Sequence, residues 1–511
     1  MAEKSLRFAR NIGFNALGQA VLAAVNFFVV PYLVGRFGLE TYGIYIILHA
    51  AASYLTLSSF GAGSALIKHV AACRGAHDGR GMRDTLRYAA WVYVLGAGMA
   101  GAALWVGAPF VAVRVFHVPG HAVPLAVFVL RCAAAGGLFV GLGQGASAVM
   151  QGLQRFDWHN ASNVLLNSAM PLGALALAAA GSGLSVVAGW YVALNIAVCI
   201  LACAVGWRLL LPSLGQPAGK GVTPKAFAFW ALTAWSGALA WIVSYQFDKI
   251  FIARHLSLSA LTLYSVPAGL LQRMQIIPAM VGVVAIPMMS ELQGPDAPES
   301  LRRMYFKSTR FVLWASLPIL TALFALMPQF LSLWLGGNFS DASCWPARLL
   351  VLGQAATLLN MGPNTVTFSR DHPWYMPAWA WSQALLSLLA WWILVPRYGL
   401  MGVAWGSLAA VALPTAVNVI VVNRRVVGVS SRWFAAEVLY APFLSAGLML
   451  AVIFPVHGMA TGWGRLLAVM AAGIAVFYGV TWALLNDEDR GLAKRFLRWE
   501  VRGSAAPRSE R

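Results

Sequence analysis

Four charged side chains stand inside stretches otherwise apolar enough to cross a bilayer: Arg131, Asp248, Lys249 and Arg273. A charge near the bilayer centre costs about 2.5–3.5 kcal/mol on insertion scales, so such residues mark a polar interior, an ion path or a substrate route. The arginines offer planar forks of donors that grip phosphate oxygens in pairs and keep their charge in a poorly hydrated site. Together with Lys249 they predict a cationic, substrate-binding cavity suited to an anion. The competing reading is structural, each arginine pairing with Asp248 or with carbonyls at helix ends. Asp248 is the one acidic residue embedded within a span. It either holds a coupling proton or Na⁺, or closes an ion pair with an arginine. On an unbroken helix Lys249 points about 100° away from it, so these neighbours need not pair.

Amides form a second group. Asn11, Asn15, Gln19 and Asn26 share a face of the first apolar run, His159, Asn163 and Asn167 a face of the fifth, and Thr357, Asn360 and Asn364 a face of the tenth. They line a polar cavity or hydrogen-bond between helices, the latter contributing roughly 0.6 kcal/mol per contact in a membrane. His49 reads as a packing residue rather than a proton relay. Arg36, Lys68 and Arg348 lie nearer the interfaces, where long cationic side chains snorkel to water.

The elements that carry these residues follow from composition. Of 511 residues 60% are hydrophobic and 10% charged, with 21 Trp, which excludes a soluble globule and predicts an all-α integral membrane protein. Apolar runs near the ~20 residues needed to cross a bilayer fall at 11–35, 41–67, 88–113, 122–150, 160–181, 184–207, 226–253, 259–290, 309–335, 345–369, 373–395, 400–423, 434–455 and 464–485, about fourteen helices. The first is too long for a cleaved signal core. Pro267, Pro278 and Pro287 predict that the eighth helix is bent or broken more than once.

The net charge of +19 is a topology signal rather than a nucleic-acid surface. Threading the spans puts the N-terminus, 68–87, Arg155, 208–225, 302–310, Arg370, 424–432 and the tail on one side. The other side receives only Arg36, Arg114, Arg254, Arg397 and Arg465, so both termini should be cytoplasmic. In the tail, Leu492, Phe496 and Trp499 among basic residues read as a short helix on the anionic leaflet.

No phosphate-cradling loop, HExxH or GxSxG occurs, and Cys73, Cys132, Cys199, Cys203 and Cys344 lack metal-ligand or disulfide spacing. The loops are too short for a soluble catalytic domain. The external ones are also too small for the pocket of a membrane-embedded glycan polymerase or ligase. A transporter rather than an enzyme is expected, with no cofactor beyond a coupling H⁺ or Na⁺.

An internal repeat supports two halves. PYLVGRFGLETYGIYIILHAA from Pro31 parallels DKIFIARHLSLSALTLYSVPAG from Asp248: each passes an arginine (Arg36, Arg254), a polar turn and a tyrosine (Tyr45, Tyr264) into the next helix, six helices apart. PYLVGRFGLETYGIY with LSSFGAGSALIKHVA resembles the opening of bacterial polysaccharide transporters. These are the Wzx-like O-antigen and exopolysaccharide flippases of the multidrug/oligosaccharidyl-lipid/polysaccharide (MOP) superfamily. FDKIFIARHLSLSALTLYSVPAG resembles that family's seventh-to-eighth helix pattern.

The resemblance implies two pseudo-symmetric six-helix lobes, residues 1–212 and 213–425, around a central cavity. Two extra helices (426–486) and a basic cytoplasmic tail (487–511) follow. It implies flipping of a polyprenyl-diphosphate-linked oligosaccharide across the inner membrane for surface polysaccharide synthesis, by a monomer. The partners implied are membrane lipids, a polysaccharide polymerase and a chain-length regulator. The alternatives within the superfamily are a peptidoglycan lipid-precursor flippase, for which arginines on the first two helices are expected, and a cation-coupled multidrug exporter, for which an acidic or aromatic cavity is.

Overall fold

The computed structural model describes residues 2–217, 219–292, 297–370, 374–485 and 490, without the side chains of residues 2–21, 283, 284, 287 and 297. The amides expected at Asn11, Asn15 and Gln19 and the interfacial helix around Leu492, Phe496 and Trp499 therefore lie outside the described residues.

All regular structure among the described residues is helical. Among the described residues ten runs are long and apolar enough to cross a membrane, which makes this a multi-pass membrane protein. In a bilayer every backbone donor and acceptor must be met internally, so helices carry the chain across and each departure from a helix needs a local partner. Two of the ten runs contain a pair of helices joined at a glycine: Gly38 (φ 77°) within Ala2–Thr56 and Gly399 (φ 57°) within Tyr375–Val422. Positive φ costs glycine nothing, since there is no Cβ to clash.

The chain divides into two compact units. One takes in residues 1–276, 341–353 and 373–415, the other 277–340, 354–372 and 416–511. In the first, helix Val123–Gly152 packs most extensively against Leu184–Leu214. Small residues allow this: a Cβ on Gly136 would fall 2.3 Å from the Tyr191 ring, and close backbone approach is what holds helices together where lipid removes the hydrophobic drive. Ala62, Leu66, Val70, Met82, Tyr93, Val149, Leu210 and Phe227 form a buried cluster at the end of this unit that carries the loops around residues 76–78 and 215–223. Those loops are tied together by Asp78. It caps helix Gly79–Trp91 through Gly81 N (2.8 Å) and also accepts from Gly219 N and Gly221 N (3.0 Å each). These donors, Gly81 first, hold its carboxyl below the usual carboxylate range.

The second unit is built along helix Ala297–Leu335, whose Leu313, Leu317, Leu320, Leu326 and Leu331 are buried. It packs against Tyr440–Val456 and Trp463–Leu484, which are joined by a hydrogen bond between the hydroxyls of Thr481 and Ser445 (3.0 Å).

Helix eight departs from expectation. The run 258–290 has one interruption among the described residues, a tight turn at Arg273–Gln275 between Leu258–Gln272 and Ile276–Ser290, and it passes through Pro267 unbroken. The reason is a substitute donor. Pro267 cannot bond the carbonyl of Leu263 four residues back, and the Ser343 hydroxyl does so instead at 2.8 Å.

Candidate functional site

Two breaks in the first unit position most of the charged candidates. The first interrupts a span at Phe247, between helices Pro224–Gln246 and Asp248–His255. A helix end exposes carbonyls that lose their intrahelical partners, and both of those just before this break find side chains. Gln246 O accepts from the Tyr54 hydroxyl at 2.7 Å, and Tyr245 O accepts from Lys249 Nζ at 3.1 Å. Asp248 starts the second helix. Its Oδ1 accepts from the Lys249 backbone N–H at 2.9 Å and lies 3.5 Å from Lys249 Nζ, with the two side chains 10% and 14% exposed. The two residues are neighbours in one helix and pair despite the divergence of about 100° between adjacent positions. Lys249 folds back across Asp248 towards the freed carbonyl, and the carboxylate meets an ammonium rather than an arginine.

The second break is the turn at Arg273–Gln275. Arg273 is half-buried there, and its guanidinium makes no hydrogen bond or ion pair among the described residues. The first unit ends three residues later, at Ile276. Arg131 lies on helix Val123–Gly152, half-buried, with its guanidinium 5.7 Å from the ring of Trp105 on the neighbouring helix Gly98–Phe110. Its Nε is buried without a hydrogen-bond partner among the described residues. The structure thus brings Asp248 and Lys249 together and gives neither arginine an acidic partner among the described residues.

The amides divide by unit. Asn26, Asn163 and Asn167, in the first, each donate to the carbonyl four residues back, those of Leu22 (2.8 Å), His159 (3.2 Å) and Asn163 (2.8 Å). They satisfy their own helices. In the second unit Asn360, 1% exposed at the junction of helices Gly337–Leu359 and Met361–Ser369, accepts from Asn418 Nδ2 at 2.6 Å. Asn360 Nδ2 and Asn364 Oδ1 are buried without hydrogen-bond partners among the described residues. Nearby on the Asn418 helix run, Asn423 accepts from the Tyr305 hydroxyl at 2.8 Å.

Sequence reasoning passed over Tyr54, Asn418, Asn423 and Tyr305. Isolated polar groups in the apolar runs around them were the available signal. Closer to the rims, Lys68 Nζ sits 3.0 Å from the centre of the Trp230 ring, Arg348 lies 4.9 Å from that of Trp345, and Arg36 donates to Ala178 O at 3.5 Å. His49 packs its ring edge-on to Tyr45 and Tyr191. The five cysteines are free, and no group of His, Cys, Asp or Glu among the described residues is arranged to hold a metal.

A family model described as polysaccharide biosynthesis protein matches residues 33–344. No curated protein sequence matches the chain. Among solved structures, the lipid II flippase MurJ in an inward closed conformation superposes with a TM-score of 0.67 at 11% identity, covering 92% of this chain and 99% of that one. An inward-facing multidrug-resistance MATE family transporter of the MOP superfamily gives 0.67 at 14% identity, covering 79% and 93%. A MOP superfamily transporter from Pyrococcus furiosus, described by the reverse polarity of its binding pocket, gives 0.53 at 13% identity, covering 81% and 93%. These identities speak for the fold alone: it is the one shared by MurJ and the MATE transporters, as the resemblance of the opening segments implied.

Proposed function

Because the chain belongs to the polysaccharide biosynthesis protein family and has a MurJ- and MATE-like fold, we propose that it is an inner-membrane flippase. Its cargo is a polyprenyl-diphosphate-linked oligosaccharide destined for a surface polysaccharide, carried by alternating access between lobes 1–212 and 213–425. The observation that carries this reading is the imbalance of charge within the spans. The embedded carboxylate of Asp248 is neutralised by Lys249, whereas Arg131 and Arg273 have no acidic partner among the described residues. A surplus of guanidinium in a poorly hydrated setting favours an anionic cargo, and a diphosphate supplies paired oxygens for the fork. The amides Asn15, Gln19, Asn26, Asn163, Asn167, Asn360 and Asn364 offer sugar hydroxyls donors and acceptors. A polymerase and a chain-length regulator would take over the product, and the flippase itself works as a monomer.

A second reading, flipping of a peptidoglycan lipid precursor, draws on the breadth of the match to the lipid II flippase. Against it, the first two helices carry Arg36 as their one arginine between residues 11 and 56, and that side chain is engaged with Ala178 O. A cation-coupled drug exporter would need an acidic or aromatic cavity, contrary to the charge balance. Deleting the gene in a strain without a paralogue tests the proposal. Lipid-linked repeat units should accumulate on the cytoplasmic face, and normal outer-face polymer would sink it. Rescue of a strain depleted of its peptidoglycan-precursor flippase would favour the second reading.

A further inference from the structure

We propose that Lys249 is a built-in cation that permanently occupies the carboxylate-based cation site at the Phe247 break, so that Asp248 takes no free monovalent ion. Freed carbonyls at a half-helix end beside a carboxylate are the donor set with which membrane transporters hold Na⁺, and the break at Phe247 supplies that set: Tyr245 O, Gln246 O and Asp248 Oδ1. Tyr54 covers Gln246 O. The ammonium takes the remaining two, 3.1 Å from Tyr245 O and 3.5 Å from Asp248 Oδ1. An ammonium with three donors substitutes for a small cation at such a place. Its tether makes it effectively undiluted: Lys249 is the residue next to Asp248, and its own backbone N–H also bonds the carboxylate. A free ion competing for Asp248 would have to displace a charge that cannot leave. This inference goes beyond the transport reading and stands whatever the cargo proves to be.

The test is the melting temperature of the purified full chain, followed by tryptophan fluorescence in NaCl, LiCl, KCl and choline chloride at equal ionic strength. Wild type and Lys249→Arg, which keeps a resident cation, should melt identically in all four salts. Lys249→Met should melt lower in choline and recover saturably with Na⁺ or Li⁺. Asp248→Asn combined with Lys249→Met should lose that response. A saturable, Na⁺- or Li⁺-specific rise in the wild type overturns the proposal, as does a Lys249→Met protein that responds no differently from wild type. Should Lys249→Met fail to fold, the wild type and Lys249→Arg still decide: identical curves support the resident cation and a specific rise refutes it.

Discussion

The two helix breaks in the first unit answer the same difficulty in opposite ways. At Phe247 every exposed group is met from within the unit: the Tyr54 hydroxyl and the Lys249 ammonium reach the carbonyls, and Asp248 is neutralised. At Arg273–Gln275 the guanidinium of the residue that opens the turn has no partner among the described residues. A closed break is a structural joint, and under the proposed function the open one, which still carries a charge, is where an anionic cargo would bind. Depth in the membrane alone does not tell substrate-binding charges from structural ones.

The largest effect that would break this contrast is at the closed joint. Replacing Asp248 by Ala leaves the Lys249 ammonium buried without its counter-charge, and losing one partner of a buried pair costs about 3–5 kcal/mol. Expression in the membrane and melting temperature should both fall sharply, with most of the loss recovered in Asp248→Asn, Lys249→Met. An Asp248→Ala protein as stable as wild type would show that the joint is not closed by charge. Tyr54→Phe is smaller. It leaves Gln246 O without its donor, at about 1–3 kcal/mol for a buried unsatisfied group, and should lower the melting temperature while sparing transport.

Much of this architecture was legible in the sequence. Apolar length marks the spans, and the gaps left between runs at 36–40 and 396–399 hold the bends at Gly38 and Gly399. The break at Phe247 was not legible, because no proline or glycine marks it: SYQFDKIF reads as continuous helix. The Asp248–Lys249 contact was hidden with it. At Pro267 the error ran the other way. The proline is plain in the sequence, but the hydroxyl that compensates for it lies on Ser343, far along the chain. The same distance concealed the partner of Asn360, which is Asn418 on another helix. The chemistry of residues can be read locally, and their satisfaction cannot.

The mildest effect is expected at Ser343. Ser343→Ala withdraws the donor from Leu263 O, and a single hydrogen bond contributes about 1 kcal/mol net. The eighth helix should loosen at Pro267, seen as faster amide exchange there, with little change in transport. Unchanged exchange would mean that Ser343 is not what carries the helix through its proline.

The central claim is that Arg273 is left open for an anion, and it is tested most directly by flipping of a fluorescent diphosphate-linked lipid in proteoliposomes. Arg273→Ala should insert and melt like wild type yet lose transport by about tenfold or more, the effect of about 1.4 kcal/mol in the barrier. Arg273→Lys should restore it only in part, since the charge returns without the fork. Adding Asp248→Asn to Arg273→Ala should not bring transport back, because Asp248 pairs with Lys249. Wild-type flipping by Arg273→Ala, or an Arg273→Ala protein that fails to accumulate until Asp248 is also neutralised, would contradict the account and return Arg273 to a structural role.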